Sequence, residues 1–136
     1  MLAVASDEAL QLLEFTDQEI AGSNNGILES LQEELRQYFL GKLQTFQVPL
    51  QFKGTPFQMR VWKELQKIPY GTTISYATLA ERIGQPTAVR AVARANGANK
   101  FAILVPCHRV IYANGGLGGY SGGLMRKPKL LKLEKP

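Results

Sequence analysis

The chain of 136 residues contains one cysteine and one histidine. One cysteine excludes an internal disulfide, and the pair is too small for a structural zinc site unless carboxylates complete the ligand set. Long apolar runs are also lacking: residues 101–105 fall far short of a membrane span, and no basic stretch with an apolar segment behind it opens the sequence. We therefore expect an intracellular protein that uses no metal or cofactor, has no membrane partner and keeps its thiol free.

The composition is that of a packed chain, and its charge is unevenly divided. Hydrophobic residues make up 45% and charged residues 20%, unlike the composition of disordered chains. Residues 1–50 carry two basic and eight acidic side chains, a net charge of −6, whereas residues 51–136 carry fourteen and three, a net charge of +11. The basic part is suited to nucleic acid, from which it would release counterions. A solvated basic surface explains the charge equally well.

The acidic first part predicts two strands and a helix. Residues 2–6 and 10–15 have the length and composition of short strands joined by a turn. Apolar residues at helical spacing predict a helix over 27–40, and Gly41 stands where a left-handed cap is expected. Residues 47–53 predict a connection, which gives an abbreviated N-terminal αβ domain at 1–50 and a C-terminal domain at 51–136.

The second part opens with a strong helix signal. Thr55 is a suitable N-cap, Pro56 suits the first helical position, and Gln58 completes a capping box. The apolar spacing predicts that this helix runs to about Ile68.

Two short helices follow, joined by a tight turn. Ser75 predicts the cap of a helix through Ile83 that Gly84 ends, and residues 87–96 predict another helix closed by Gly97. Such a pair resembles a helix-turn-helix unit, a pattern that also occurs in folds that do not bind DNA.

The remaining segments are a strand, a loop and a short helix. The apolar run 101–105 predicts a buried strand or extended segment that ends just before Cys107. Six glycines within 115–123 predict a loop, because neither helix nor strand tolerates that density. Residues 127–134 predict a closing helix.

One face of the helix predicted over 87–96 combines small residues with arginines. Ala88, Ala91 and Ala95 form a stripe, and Arg90 and Arg94 lie one turn apart beside it. Small side chains would let the helix approach a groove of DNA closely, where arginine can reach phosphates or a base step. Tight packing of the alanines on another helix is an equally good explanation.

Cys107 and His108 place a thiol next to a base in the sequence. A nearby histidine can promote formation of the nucleophilic thiolate. In an extended segment neighbouring side chains point to opposite faces, so proton exchange would need a local turn or a bridging water. A buried structural cysteine is the alternative.

Residues 106–110, Pro-Cys-His-Arg-Val, resemble the signature of the O6-alkylguanine-DNA alkyltransferase family. The likeness runs in order from about residue 54 to residue 134, and the chain is identified as a member on this basis. The further matching residues are Gly54-Thr55, Phe57-Gln58, Val61-Trp62, Ile68-Pro69-Tyr70-Gly71, Ser75-Tyr76, Arg90-Ala91-Val92, Asn96-Gly97, Asn99 and Gly119-Tyr120-Ser121-Gly122-Gly123.

The resemblance implies a mixed fold and a repair reaction. The fold is α/β of the α+β kind: a small N-terminal strand-plus-helix domain, then a mostly helical domain with a helix-turn-helix and a buried active-site cysteine. The reaction is an irreversible, single-turnover transfer of an alkyl group from O6-alkylguanine, and by extension O4-alkylthymine, in a flipped-out base to Cys107. By the same resemblance His108 takes the thiol proton through a water, Glu134 orients the imidazole and Asn99 braces the turn. Tyr76 contacts the phosphate and the guanine, to which it returns a proton.

The implied partner is double-stranded DNA carrying O6-alkylguanine, bound in the minor groove through the helix-turn-helix by a monomer. Such a protein works in the cytoplasm, at the nucleoid of a bacterium, or in a nucleus. Arg90 would fill the gap left by the flipped base, the carbonyls of Cys107 and Val110 would accept from its amine, and Ser121 would donate toward O6. The residues expected to contact DNA or the base are Ser75, Arg90, Ala91, Arg94, Ala95, Val110, Tyr120 and Ser121.

Departures and alternatives bound this hypothesis. Lys100 stands where the family most often has proline and Arg94 where it often has glycine, and neither change removes a catalytic group. One alternative is a non-catalytic lesion sensor of the alkyltransferase-like kind, a class that lacks the acceptor cysteine present here. Another is a transcription regulator, which predicts sequence-specific binding to undamaged DNA.

Overall fold

The computed structural model describes residues 1–18, 22, 24–116 and 126–135. It confirms a mixed α/β fold with small strand pairs and, within those ranges, five α-helices. No helix there is long and apolar enough to cross a membrane. The elements in chain order are β1 (Leu2–Ala5), β2 (Leu10–Glu14), α1 (Gly26–Phe39), α2 (Pro56–Leu65), β3 (Ile74–Ser75), α3 (Tyr76–Arg82), α4 (Val89–Gly97), a one-turn 3-10 helix (Cys107–Arg109), β4 (Val110–Ile111) and α5 (Arg126–Glu134).

Strand β2 ties the acidic part of the chain to the basic part. It pairs antiparallel with β1, and its buried residues Leu10 and Leu13 also bond to later segments. The carbonyl of Leu13 accepts from the amide of Ala102 at 2.9 Å, and the amide of Leu13 donates to the carbonyl of Lys100 at 2.8 Å. Leu10 makes the same two kinds of backbone hydrogen bond with residues 49–51. The acidic part is therefore held directly against the segment that leads to Cys107.

The hydrophobic core draws on both parts of the chain. Trp62, Tyr38 and Phe101 are its largest buried side chains, and Phe52 contacts the rings of Trp62 and Phe101 with centroids 6.2 and 5.4 Å apart. Residues on either side of position 50 join one cluster. The division into domains at residues 1–50 and 51–136 stays a prediction, and the packing across it is continuous.

The predicted capping box of α2 is confirmed, but the helix is shorter than expected. The Thr55 hydroxyl accepts from the amide of Gln58 at 3.1 Å, and the Gln58 side chain accepts from the Thr55 amide at 3.0 Å. The helix ends at Leu65 instead of Ile68. Residues 66–68 close in tight turns because a residue that precedes proline, here Pro69, disfavours the helical conformation.

The two short helices of the predicted helix-turn-helix are present and pack on each other and on α2. Ser75 caps α3 by accepting from the amide of Thr78, and Gly84 adopts a positive φ of 77°. Helix α4 begins at Val89 instead of residue 87, because the amide of Ala88 is held in a turn. Gly97, which was expected to close this helix after residue 96, is its last residue, and Ala98 is the C-cap.

The prediction of a strand or extended segment at 101–105 is wrong. Phe101 forms a single bridge to Leu13, after which the chain folds back and the amide of Val105 donates to the carbonyl of Phe101 at 3.0 Å. Ile103 takes a φ of 72°, a left-handed conformation that a β-branched residue rarely adopts. The segment is buried as expected, and its shape comes from long-range packing that periodicity does not report.

We predict that Gly54→Ala lowers the free energy of unfolding by about 2 kcal/mol, because overpacking a filled site forces the surroundings to shift. A methyl group on Gly54 would lie 2.6 Å from the buried ring of Trp62. Urea unfolding measures the effect. Gly26→Ala is the control, since nothing lies within 4 Å of its added methyl group and alanine is favoured in helices. Equal stability of the two variants would contradict the packing described here.

Candidate active site

The side chain of Asn99 holds in shape the turn that leads to Cys107. The Asn99 amide nitrogen lies 2.8 Å from the carbonyl oxygen of Val105 and 3.2 Å from that of Phe101, and its carbonyl oxygen accepts from the Phe101 amide at 3.0 Å. The same nitrogen lies 3.2 Å from Sγ of Cys107. One side chain thus closes the turn of residues 101–105 and contacts the sulfur.

The thiol of Cys107 is buried but has polar neighbours. Burial raises its pKa, while the hydrogen bond from Asn99 and the charge of Lys127 oppose that rise. Tyr76 also interacts electrostatically with the sulfur, and burial raises the pKa of its hydroxyl as well. The resting group is therefore a protonated thiol beside an amide, a phenol and an ammonium group that can stabilise a thiolate once it forms.

His108 is a buried neutral base. Its Nε2 lies 2.7 Å from Oε2 of Glu134, and no part of its ring is exposed. Burial lowers the pKa of His108 more than Glu134 raises it. With Nε2 protonated and donating to the carboxylate, Nδ1 keeps its lone pair, and Nδ1 has no hydrogen-bond partner among the described residues. The 3-10 turn supplies the local bend that the Cys107-His108 pair needs.

Glu134 is held far more firmly than its place near the chain end would suggest. Oε1 accepts from Nε of Arg109 at 2.8 Å, and Oε2 accepts from Nη2 of Arg109 at 2.9 Å and from the hydroxyl of Tyr38 at 2.6 Å. Although burial raises the pKa of Glu134, the hydrogen bonds from His108 and Arg109 outweigh it and hold that pKa well below its usual range. The carboxylate is ionised and fully partnered.

Lys127 of α5 contributes a second buried cation. Its Nζ donates to the carbonyl oxygen of Val110 at 2.7 Å and lies 5.8 Å from the ring centroid of Tyr76. Burial lowers its pKa, and the interaction with Cys107 opposes that change. Val110 and Tyr76, two of the predicted site residues, are thus brought to one place with Cys107.

The exposed face of α4 matches the predicted arginine pair but only part of the alanine stripe. Arg90 and Arg94 are exposed and Ala91 is half-buried. Ala95 is buried, and its carbonyl accepts from the indole of Trp62 at 2.9 Å. Ala95 is therefore a core residue, and its predicted DNA contact is withdrawn, because the face that carries it packs on α2.

The other predicted residues lie near the turn or outside the described ranges. Ser75 caps α3 immediately before Tyr76, whose ring lies 5.4 Å from that of Tyr112. Tyr120 and Ser121 fall outside the residues that the structure describes. Within those ranges, no three histidine, cysteine or acidic side chains come together as a metal would require.

Three functional candidates were missed from the sequence. Arg109 lies within the signature of residues 106–110, and that position could have marked it as a site residue. Lys127 and Tyr38 are recognised only from their contacts in the folded chain. Tyr38 comes from α1, 96 residues before the carboxylate that it contacts. Nothing in the local sequence pattern marks it.

We predict that Glu134→Gln lowers the free energy of unfolding by about 3 kcal/mol at pH 7, because it leaves a buried arginine without its anion. The folded-state pKa of Glu134 is depressed. Its stabilisation is thus present above the unfolded value of about 4.3 and is lost as the pH falls from there. Urea unfolding at pH 7 and at pH 3.5 should show a smaller difference between variant and wild type in acid.

Glu33→Gln is the matched control for that experiment. Glu33 pairs with Arg36 at 2.7 Å, but both side chains are more than half exposed, so little stability depends on the pair. A destabilisation by Glu134→Gln no larger than that by Glu33→Gln would contradict the buried network.

Comparisons with known proteins agree with this geometry. The family described as 6-O-methylguanine DNA methyltransferase, DNA binding domain, matches residues 56–136. A methylated-DNA–protein-cysteine methyltransferase of Mycolicibacterium paratuberculosis is 50% identical over 135 residues, which cover 95% of this chain and 82% of that protein.

Solved structures give the same result. Mycobacterium tuberculosis OGT in complex with DNA matches with a TM-score of 0.90 at 46% identity, covering 98% of this chain and 84% of that one. S. pombe Atl1 in complex with damaged DNA containing O6-carboxymethylguanine matches with a TM-score of 0.54 at 29% identity, covering 61% and 79%. The chain belongs to the methylated-DNA–protein-cysteine methyltransferase family.

Proposed function

We propose that this protein repairs DNA by moving an alkyl group from O6 of guanine onto Sγ of Cys107. The observation that carries the proposal is the pairing of a protonated thiol with a neutral imidazole on one 3-10 turn. That imidazole is fixed through Nε2 by the ionised Glu134, which leaves Nδ1 able to accept a proton. This is the nucleophile, base and orienting-acid arrangement of triad enzymes.

The chemical step balances within the site. Nδ1 of His108 takes the thiol proton through a water, and the thiolate attacks the alkyl carbon, so that an S–C bond forms and the O6–C bond breaks. The electron pair stays on guanine, which takes a proton from the hydroxyl of Tyr76. Asn99 and Lys127 stabilise the thiolate while it forms. The product thioether has no easy reverse path, so each molecule reacts once.

The substrate is a base in duplex DNA. The mycobacterial relative of known structure is in complex with DNA, and S. pombe Atl1 is in complex with damaged DNA. By analogy we propose that a monomer of this protein binds the minor groove through α3 and α4 and extrudes the alkylated guanine. Extrusion costs a few kcal/mol, and less for a base whose pairing is already weakened. O4-alkylthymine would be accepted in the same way, wherever the cell keeps its DNA.

Several residues have proposed contacts with the bound DNA. Arg90 fills the gap in the base stack, while Arg94, Ala91 and Ser75 lie along the phosphates. The carbonyls of Cys107 and Val110 accept from the exocyclic amine, and that of Val110 already accepts from Lys127. The proposal extends to Tyr120 and Ser121, which would complete the pocket around the base.

Mass spectrometry of the intact protein and of its proteolytic peptides, after incubation with duplex DNA that carries O6-methylguanine, tests the proposal. We expect a gain of one methylene on the peptide containing Cys107, and no gain for Cys107→Ala, which keeps lesion binding because only the nucleophile is lost. Unchanged mass of the wild type together with tight binding would instead identify a lesion sensor.

Arg90→Ala should weaken the capture of lesion-containing duplex by roughly tenfold, since the flipped state loses the side chain that fills its place, while transfer from the free alkylated base stays intact. Arg94→Ala, one turn further on, should weaken damaged and undamaged duplex equally and reduce the salt dependence of binding. Fluorescence titration at two salt concentrations measures duplex binding by both variants, and the rate of transfer from free O6-alkylguanine base measures the intrinsic reaction. Equal losses on duplex and free base for Arg90→Ala would contradict the proposal that Arg90 fills the gap in the base stack.

A further inference from the structure

The Glu134 carboxylate receives a hydrogen bond from outside the signature. Oε2 accepts from the hydroxyl of Tyr38 at 2.6 Å, and the same oxygen lies 2.7 Å from Nε2 of His108 and 2.9 Å from Nη2 of Arg109. Tyr38 lies in α1, within the acidic part of the chain. The hydrogen-bond network around His108 therefore includes a residue from the acidic part of the chain.

Packing explains the ring of Tyr38 but not its hydroxyl. Its ring is fully buried, with the centroids of Phe46 and Tyr70 at 5.5 and 6.2 Å. A phenylalanine would fill the same space. Burial and the bond to Glu134 raise the pKa of Tyr38 far above its usual value, so the group stays a donor. Burying a hydroxyl is unfavourable unless it is hydrogen-bonded, and here the bond goes to the oxygen that holds the base.

We propose that Tyr38 is a positioning residue for the transfer reaction: through Oε2 of Glu134 it sets the orientation and the basicity of His108. The inference rests on the proposed function, since it assigns a role in that same proton transfer. Tyr38 contacts neither substrate nor sulfur in this scheme. Its hydrogen bond partly neutralises the carboxylate. Glu134 therefore favours the doubly protonated, cationic form of His108 less strongly.

The direction of the effect follows from the groups that surround the base. Glu134 of α5 favours the protonated imidazole, while Arg109 beside it and Lys127 of α5 disfavour it. Among the residues that the structure describes, Tyr38 of α1 and Tyr70, after α2, are the other titratable groups that act on the carboxylate or on the phenol. Without the Tyr38 hydroxyl, the charge on Oε2 is less satisfied and attracts the imidazolium more strongly. The pKa of His108 should then rise, and the acid limb of the rate profile should move to higher pH.

The chain has one histidine, so its imidazole signals in NMR spectra are assigned without ambiguity. We expect Tyr38→Phe to raise the pKa of His108 by roughly half a unit or more. The single-turnover rate at saturating O6-methylguanine duplex should fall about threefold or more at acid pH, because the acid limb of the rate profile shifts in parallel with that pKa. The dissociation constant for the duplex should not change.

Tyr70→Phe is the matched control, because it removes a neighbouring hydroxyl that bonds to the carbonyl of Leu133 at 3.4 Å instead of to the carboxylate. It should leave both the pKa of His108 and the rate profile as in the wild type. In a Glu134→Gln background, Tyr38→Phe should have no further effect on the profile. This result would separate a role through the carboxylate from a general loss of packing.

Unfolding curves confirm that each variant is folded at the temperature of the assay. A folded Tyr38→Phe protein with the wild-type pKa and rate profile would overturn the inference while leaving the proposed function intact. A shift of the same size in Tyr70→Phe, or a shift that persists in the Glu134→Gln background, would also overturn it. Failure of the wild type to transfer the alkyl group at all would instead refute the proposed function.

Discussion

The site depends on the buried carboxylate of Glu134. Removing its charge from water costs several kcal/mol, which only a close counter-ion and further donors can offset. Arg109 supplies the counter-ion through two hydrogen bonds, and its Nη1 donates to the carbonyl of Ile68 at 2.7 Å. Because the charges of Glu134 and Arg109 nearly cancel, the carboxylate does not require a positive charge on the imidazole of His108. It can therefore serve as a base at neutral pH.

The state of the sulfur complements that of the base. A buried thiol with a raised pKa reacts poorly with oxidants and stray electrophiles, since the thiolate is the reactive form. Asn99 and Lys127 become useful when the proton leaves, because both favour the negative sulfur. A protein that reacts once gains from this arrangement, since its single thiol is protected from such side reactions.

Local features of the fold were predictable from the sequence because their causes are local. The capping box of Thr55 and Gln58 and the left-handed glycines at 41 and 84 follow from neighbouring residues. The turn at 101–105 was not predictable, because Asn99 and strand β2 impose it and Ile103 adopts a conformation against its own preference. An apolar run shows that a segment is buried and leaves its path open.

The candidate site shows the same division between local and long-range causes. The resemblance named Cys107, His108 and Glu134 as partners, although 26 residues separate the last two. It assigned nothing to Tyr38, whose contact with Glu134 depends on how α1 packs against the second part of the chain. Ala95 was misplaced because helical spacing alone could not tell which side of the alanine stripe faces α2.

The most direct test of the account is the protonation state of the single imidazole in the resting protein. Nitrogen-15 NMR distinguishes a neutral ring protonated at Nε2, one protonated at Nδ1, and the imidazolium. At pH 7 we expect the neutral Nε2-protonated form, with Nδ1 free to take the thiol proton. An imidazolium, or a ring protonated at Nδ1, would contradict the proposed role of His108, because neither form has a lone pair on Nδ1 to take the thiol proton.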